Sequence, residues 1–159
     1  MYLDALSFLE DERDAFRAYE ALLDLTDEQL ERRVEAAGGW SGRDLMGHIV
    51  LWQEAALVAA KELALGPESP SIARIEAQWA AGGDDMNTQG LERFRAMTID
   101  EVRTAFRNTA GELRGYLTVV PEIRWVKNPA HMSHFLGETL EHYEEHLGEL
   151  RAILDASRG

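Results

Sequence analysis

Two histidines, His142 and His146, stand four residues apart toward the end of the chain, and a third, His48, lies in its first half. On a helix that spacing puts both rings on one face, a turn apart. Neutral imidazole nitrogens so placed can share one divalent ion, Zn, Ni or Mn being candidates. The pair alone is a weak signal, since histidines fall four apart often by chance. At about 100° per residue, however, His142 and His146 share a side with Phe135, Thr139 and Ile153, beside a leucine seam. His48 falls with Leu45, Trp52, Ala55 and Ala59. All three therefore look toward a helical interior or a cleft at one end, and together they have the composition of a three-ligand site with open positions. Such an ion would lower the pKa of bound water or hold a thiol as thiolate. The chain has no Cys, so any thiol must come from a cosubstrate. Because a ligating histidine must be neutral, the ion is expected to leave as pH falls through about 5–6.

Other residues near these positions read more plainly. His131 and His134 are expected to be exposed, with a place at a pocket mouth as the alternative for His134; Glu138 and Glu145 are expected to be solvated, and Glu149 to lie close enough to orient a histidine ring. Trp40, Trp52 and the stretch from Gly82 to Asn87 are candidates for the wall of a pocket. Arg43 is the nearest basic group that could offset charge on an anionic ligand, and a surface ion pair is its alternative role.

The elements that must position these groups are helical. A first helix is expected from Tyr2 to Leu23, with Leu6, Leu9, Phe16, Leu22 and Leu23 at helical spacing. Thr26-Asp27-Glu28-Gln29, Ser41-Gly42-Arg43-Asp44 and Thr98-Ile99-Asp100-Glu101 are capping-box patterns that open helices. The second long helix carries Leu45, Ile49, Trp52, Ala56, Ala59 and Leu63 on one stripe and ends at Gly66-Pro67. The third carries Val102, Phe106, Thr109, Leu113 and Leu117. The last, Ser133 to Asp155, carries Leu136, Leu140, Tyr143, Leu147, Leu150 and Leu154 as a bundle seam. Between the second and third, Gly66 to Met97 reads as a long connection with a weakly helical middle, Ile72 to Ala81. A connection of that length can cross back along a bundle, leaving the two helices it joins parallel. The expectation is an all-α four-helix bundle, a single domain over residues 1–159.

The chain has 159 residues with 16 Lys and Arg against 29 Asp and Glu, a net charge of −13. That balance argues against a nucleic-acid partner, which needs a basic footprint. No apolar stretch reaches the roughly 20 residues of a membrane span, and no secretory signal pattern opens the chain. The expected setting is cytoplasmic, with a small-molecule substrate and no membrane partner. A homodimer through an exposed helix face is compatible with the sequence.

Trp40-Ser41-Gly42-Arg43-Asp44-Leu45-Met46-Gly47-His48-Ile49, followed by Trp52-Gln53-Glu54, resembles the second-helix signature of the DinB-like family. His142-Tyr143-Glu144-Glu145-His146 resembles that family's His-x-x-x-His in the last helix, and Asp84 to Asn87 with Thr98 to Val102 is similar to its entry into the third. The resemblance implies an up-down-down-up four-helix bundle holding a divalent metal through His48, His142 and His146. It further implies a metal-dependent transferase or hydrolase, with a low-molecular-weight thiol among the cosubstrates known for the family. Two other readings stay open: a bundle that binds or sequesters a small molecule without turnover, and a structural dimerisation module with incidental histidines.

Overall fold

The computed structural model describes residues 1–159 and is all-α, with no strand. Helix α1, Ala5–Arg17, starts at Asp4, whose carboxylate accepts the Ser7 N–H at 2.7 Å, and tightens into a 3₁₀ segment, Ala18–Asp24. The short α2, Asp27–Glu31, is opened by the Thr26/Gln29 capping box. Helix α3, Gly42–Leu65, and helix α6, Ile99–Val119, open on the Ser41/Asp44 and Thr98/Glu101 boxes. In each, backbone N–H groups that no helical partner can reach are met by a side chain three residues away. The stripes expected for α3 and α6 are buried throughout.

The helical middle expected at Ile72–Ala81 is α4, Pro70–Gly82, and the rest of the Gly66–Met97 connection is not a loop but holds a further helix, α5, Asp85–Ala96. Ser69 caps α4 through the Ile72 N–H at 3.4 Å, and Pro70 occupies its first turn, where no N–H is needed. Helix α5 lies close on α3 because two glycines make room. A Cβ on Gly47 would stand 2.6 Å from Cβ of Phe94, and one on Gly90 would stand 2.4 Å from Cδ2 of Leu51.

The first helix buries Phe8, Glu12 and Phe16 and its 3₁₀ continuation buries Tyr19, while Leu6 points to solvent. The last long segment starts earlier than Ser133, with Asn128 capping α7, Pro129–Leu136. A π-helical turn, Gly137–Glu141, comes next, then α8, His142–Glu145, a break at His146, and α9, Leu147–Ser157. The wide turn takes up one extra residue and so rotates the later helical turns relative to a regular helix. Phe135, Thr139, His142, Tyr143, Leu150 and Ile153 face inward, and Leu136, Leu140, Leu147 and Leu154 of the expected seam sit half-buried at its edge.

Contacts between ends fix how the segments lie. Arg124 donates to the Leu63 carbonyl at 2.9 Å, and Glu122 accepts the Ala5 N–H at 2.6 Å. The start of α1, the end of α3 and the chain after α6 thus meet at one end. At the other, Gln29 and Arg32 donate to the carbonyls of Ser157 and Ala156 at 3.2 and 3.1 Å. Two apolar clusters, around Phe16, Ile49 and Phe106 and around Phe8, Leu63 and Trp125, fill the interior. Between them along the chain come Glu12, Gln53 and Thr139, each with almost no exposure. Tyr143 ties this polar layer together, its hydroxyl donating to Oε1 of Glu12 at 2.8 Å and accepting from Nε2 of Gln53 at 2.9 Å; Arg114 pairs with the same Glu12. A buried carboxylate persists only when paired and hydrogen-bonded in this way. No helix is long and apolar enough to cross a membrane.

Candidate metal centre

His48 lies on α3 just beyond the capping box, and the start of that helix is anchored twice. Asp44 closes the box onto the Ser41 N–H at 3.1 Å and takes a two-pronged contact from Arg95 at 2.9 and 3.1 Å. His142 opens α8 directly after the π turn, and His146 sits at the break before α9, φ −100 and ψ 9. The neighbouring Tyr143 is pinned by the polar layer, which holds the His142 backbone against α1 and α3.

The three rings meet. Nε2 of His48 is 2.9 Å from Nε2 of His142 and 3.1 Å from Nε2 of His146, and the three potential ligand atoms lie within 4.8 Å of one another. Metal–nitrogen distances of about 2.0–2.1 Å would give nitrogen–nitrogen edges of about 2.8–3.4 Å across octahedral and tetrahedral geometry, so the residues fit an ion. One Nε2 touching two others cannot be satisfied by hydrogen bonding alone among neutral rings, each of which offers a single proton or a single lone pair there. The group could hold a metal ion.

Charge and packing favour the neutral form. Burial, aided by the other rings, lowers His142 to about 3, and burial together with His146 lowers His48 to about 4 despite the opposing Asp84. Trp40 stacks on His146 with ring centres 5.7 Å apart and meets His48 at 4.9 Å, so one indole fixes two rings. Nδ1 of His142 and of His146 are buried without a hydrogen-bond partner. Glu149, expected near these rings, has Oε1 3.6 Å from Nδ1 of His146, beyond hydrogen-bond reach in this state.

The triad opens onto a cavity of about 650 Å³. Trp40 and Trp52 do line it, as do Asp84, Asn87 and Thr88 from the α4–α5 turn and the start of α5. Trp52 donates its indole N–H to Asn87 at 2.9 Å, and Asn87 donates to Asp84 at 2.8 Å, which ties α5 to the cavity wall. Glu145 is solvent-exposed at the cavity's edge, as expected.

Two expectations are overturned. His131 and His134 are buried, because the last segment becomes helical already at Pro129 and carries both rings inward. His131 is structural, its Nδ1 2.6 Å from the Arg124 carbonyl, whereas His134 lines the cavity and is lowered to about 4 by burial and by His131. Glu138 is not solvated: its side chain is 18 % exposed, it lines the cavity, and burial pushes it up to about 8. Of the two roles open to Arg43, the structure shows the ion pair: it pairs with Glu31, donates to the Met97 carbonyl and does not line the cavity. Sequence reasoning missed Glu76 and Trp79, which reach the cavity from α4. The one available signal was their position within the Ile72–Ala81 segment.

A family model described as the DinB superfamily matches residues 9–150. No curated protein and no solved structure matches the chain.

Proposed function

The chain belongs to the DinB superfamily, and on that premise we propose that it is a divalent-metal-dependent transferase or hydrolase acting through His48, His142 and His146. The observation that carries the reading is the convergence of three Nε2 atoms at the wall of a cavity large enough for a small molecule. When bound, the ion would supply a Lewis acid that activates water or a thiol at neutral pH. The protein's own part is to favour neutral His48 and His142 and to hold all three imidazoles in place. Burial does the first, and Trp40 stacking with the Tyr143 anchor does the second. Such preorganisation removes the reorientation that ligands on mobile side chains would need. A thiol cosubstrate belongs to this reading as the partner of a chain without Cys, and it would meet no Lys or Arg in the cavity wall.

The same reading takes the bundle as up-down-down-up. Its support is that the ends of α3 and α6 meet matching ends of their neighbours: Arg43 beside Met97 at one end, Arg124 on Leu63 at the other.

The test is elemental analysis of untagged protein, with calorimetric titration of Zn, Ni and Mn into the stripped protein. One ion per chain is expected, lost in His48→Ala and in His142→Ala/His146→Ala with helicity retained. A full equivalent of metal surviving the double substitution would sink the assignment.

A further inference from the structure

The wall of the cavity has a charge pattern that the triad does not explain. Four carboxyl side chains line it, Glu76, Asp84, Glu138 and Glu145, and no Lys or Arg does. His134, the lining histidine outside the triad, is lowered to about 4 by burial and by His131 and adds no positive charge to balance them. A divalent ion on the triad would contribute two positive charges against four carboxyl groups. The whole chain, at −13, repels anions at long range and attracts cations.

Aromatic faces complete the pattern. Trp79 is half-exposed at the mouth and meets Trp52 edge to face with ring centres 6.0 Å apart, forming an indole corner above the cavity. Indole is the strongest of the side-chain partners for a cation held over its face. Glu138 lies deeper, one helical turn before His142, and receives no hydrogen bond from the protein; Nδ1 of His134 stands 3.9 Å from its Oε1. His134 itself is buried, and its Nε2 has no partner. Unmatched buried polar groups facing a cavity are what a ligand's own polar groups satisfy.

We infer that the molecule this cavity receives is a small organic cation, a positively charged nitrogen on an apolar or aromatic body, held by Glu138 and the Trp52–Trp79 corner. The inference names the substrate class for the metal-dependent reading above and rests on that reading for its link to catalysis. The binding preference itself stands on residues that are not metal ligands. Entry of the cation gives the Glu138 carboxylate the counter-charge that burial withholds, so the ligand and the ionised carboxylate stabilise each other.

Three probes of similar body separate the outcomes: benzyltrimethylammonium, 2-phenylethanol and 3-phenylpropionate, titrated by calorimetry and tryptophan fluorescence into metal-free and Zn-loaded full-length protein. The quaternary ammonium has no lone pair, so it cannot bind by ligating the ion. It is expected to bind at least about tenfold more tightly than the alcohol, and the carboxylate more weakly still in metal-free protein. Glu138→Gln should erase most of that preference while zinc stoichiometry is unchanged. Trp79→Leu, at a half-exposed position that the fold tolerates, should weaken the ammonium several-fold. Equal or tighter binding of the carboxylate in metal-free protein, an unchanged preference in both variants, or no binding of the ammonium at millimolar concentration would overturn the inference. Failure of zinc uptake with the ammonium preference intact would overturn the metal reading alone.

Discussion

Glu138→Gln should make the metal-free protein more stable at pH 7.5 than at pH 5, relative to wild type. Burial raises the Glu138 carboxyl from an ordinary 4.5 to about 8. Its folded-state value exceeds its unfolded value, so the native protein keeps a proton that the unfolded chain has already lost. The contribution to stability is fully present below pH 4.5 and is lost as pH rises through 8. At about 1.4 kcal/mol per tenfold in proton affinity, the loss is on the order of 4 kcal/mol at pH 7.5 and under about 1 kcal/mol at pH 5. His134, 3.9 Å away and lowered to about 4, stays neutral across that window and does not disturb the comparison. Gln fills nearly the same volume but cannot ionise. Its amide carries its own burial cost, which is the same at both pH values and cancels in the difference. The variant should therefore gain about 3 kcal/mol on wild type between pH 5 and pH 7.5. With a urea slope near 2 kcal/mol/M, that is a relative midpoint shift of about 1.5 M. Urea unfolding of chelator-treated protein, followed by circular dichroism at the two pH values, measures it. The same stability difference at both would refute a neutral buried carboxyl at this position.

Bound metal should persist below pH 5 rather than leave through pH 5–6, because burial keeps His48 and His142 unprotonated to about 4 and 3; loss of half the ion on dialysis at pH 6 would contradict this. Gly47→Ala forces a methyl group against Phe94, 2.6 Å from its Cβ, and should cost about 1–3 kcal/mol. An unchanged urea midpoint would show that α5 approaches α3 less closely than described. Tyr143→Phe strands the buried Gln53 amide and takes a donor from Glu12, for a cost of about 1–3 kcal/mol. The same denaturation assay reads that cost, and a loss under about 0.5 kcal/mol would mean that the polar layer does not anchor the His142 segment.

Local signals were sufficient for much of this protein. The three capping boxes act over three residues and form as their sequences predict, and the stripes of α3 and α6 are regular helices whose period survives folding. The triad was legible for the same reason: His48 lies about two turns into a capped helix, and His142 and His146 are one turn apart. What periodicity could not carry was the wide turn at Gly137–Glu141. No residue there marks a π turn, and periodicity did not settle which of two adjacent stripes is covered: Phe135, Thr139, His142 and Ile153 are buried along with Tyr143 and Leu150 of the expected seam, while Leu136, Leu140, Leu147 and Leu154 are half-buried.

The sequence alone therefore determined the helical class, the helix starts and the identity of the three histidines, because each depends on neighbours within a turn or two. Only tertiary packing decided that Nε2 of His48 lies 2.9 Å from Nε2 of His142, since that distance joins residues 94 positions apart. Packing likewise sealed Glu138 into the cavity wall, raised its carboxyl to about 8, and brought Trp79 from α4 beside Trp52 of α3. Burial is set by what the rest of the chain lays over a residue, and a charged side chain on a helix carries no local mark of whether water or protein will cover it.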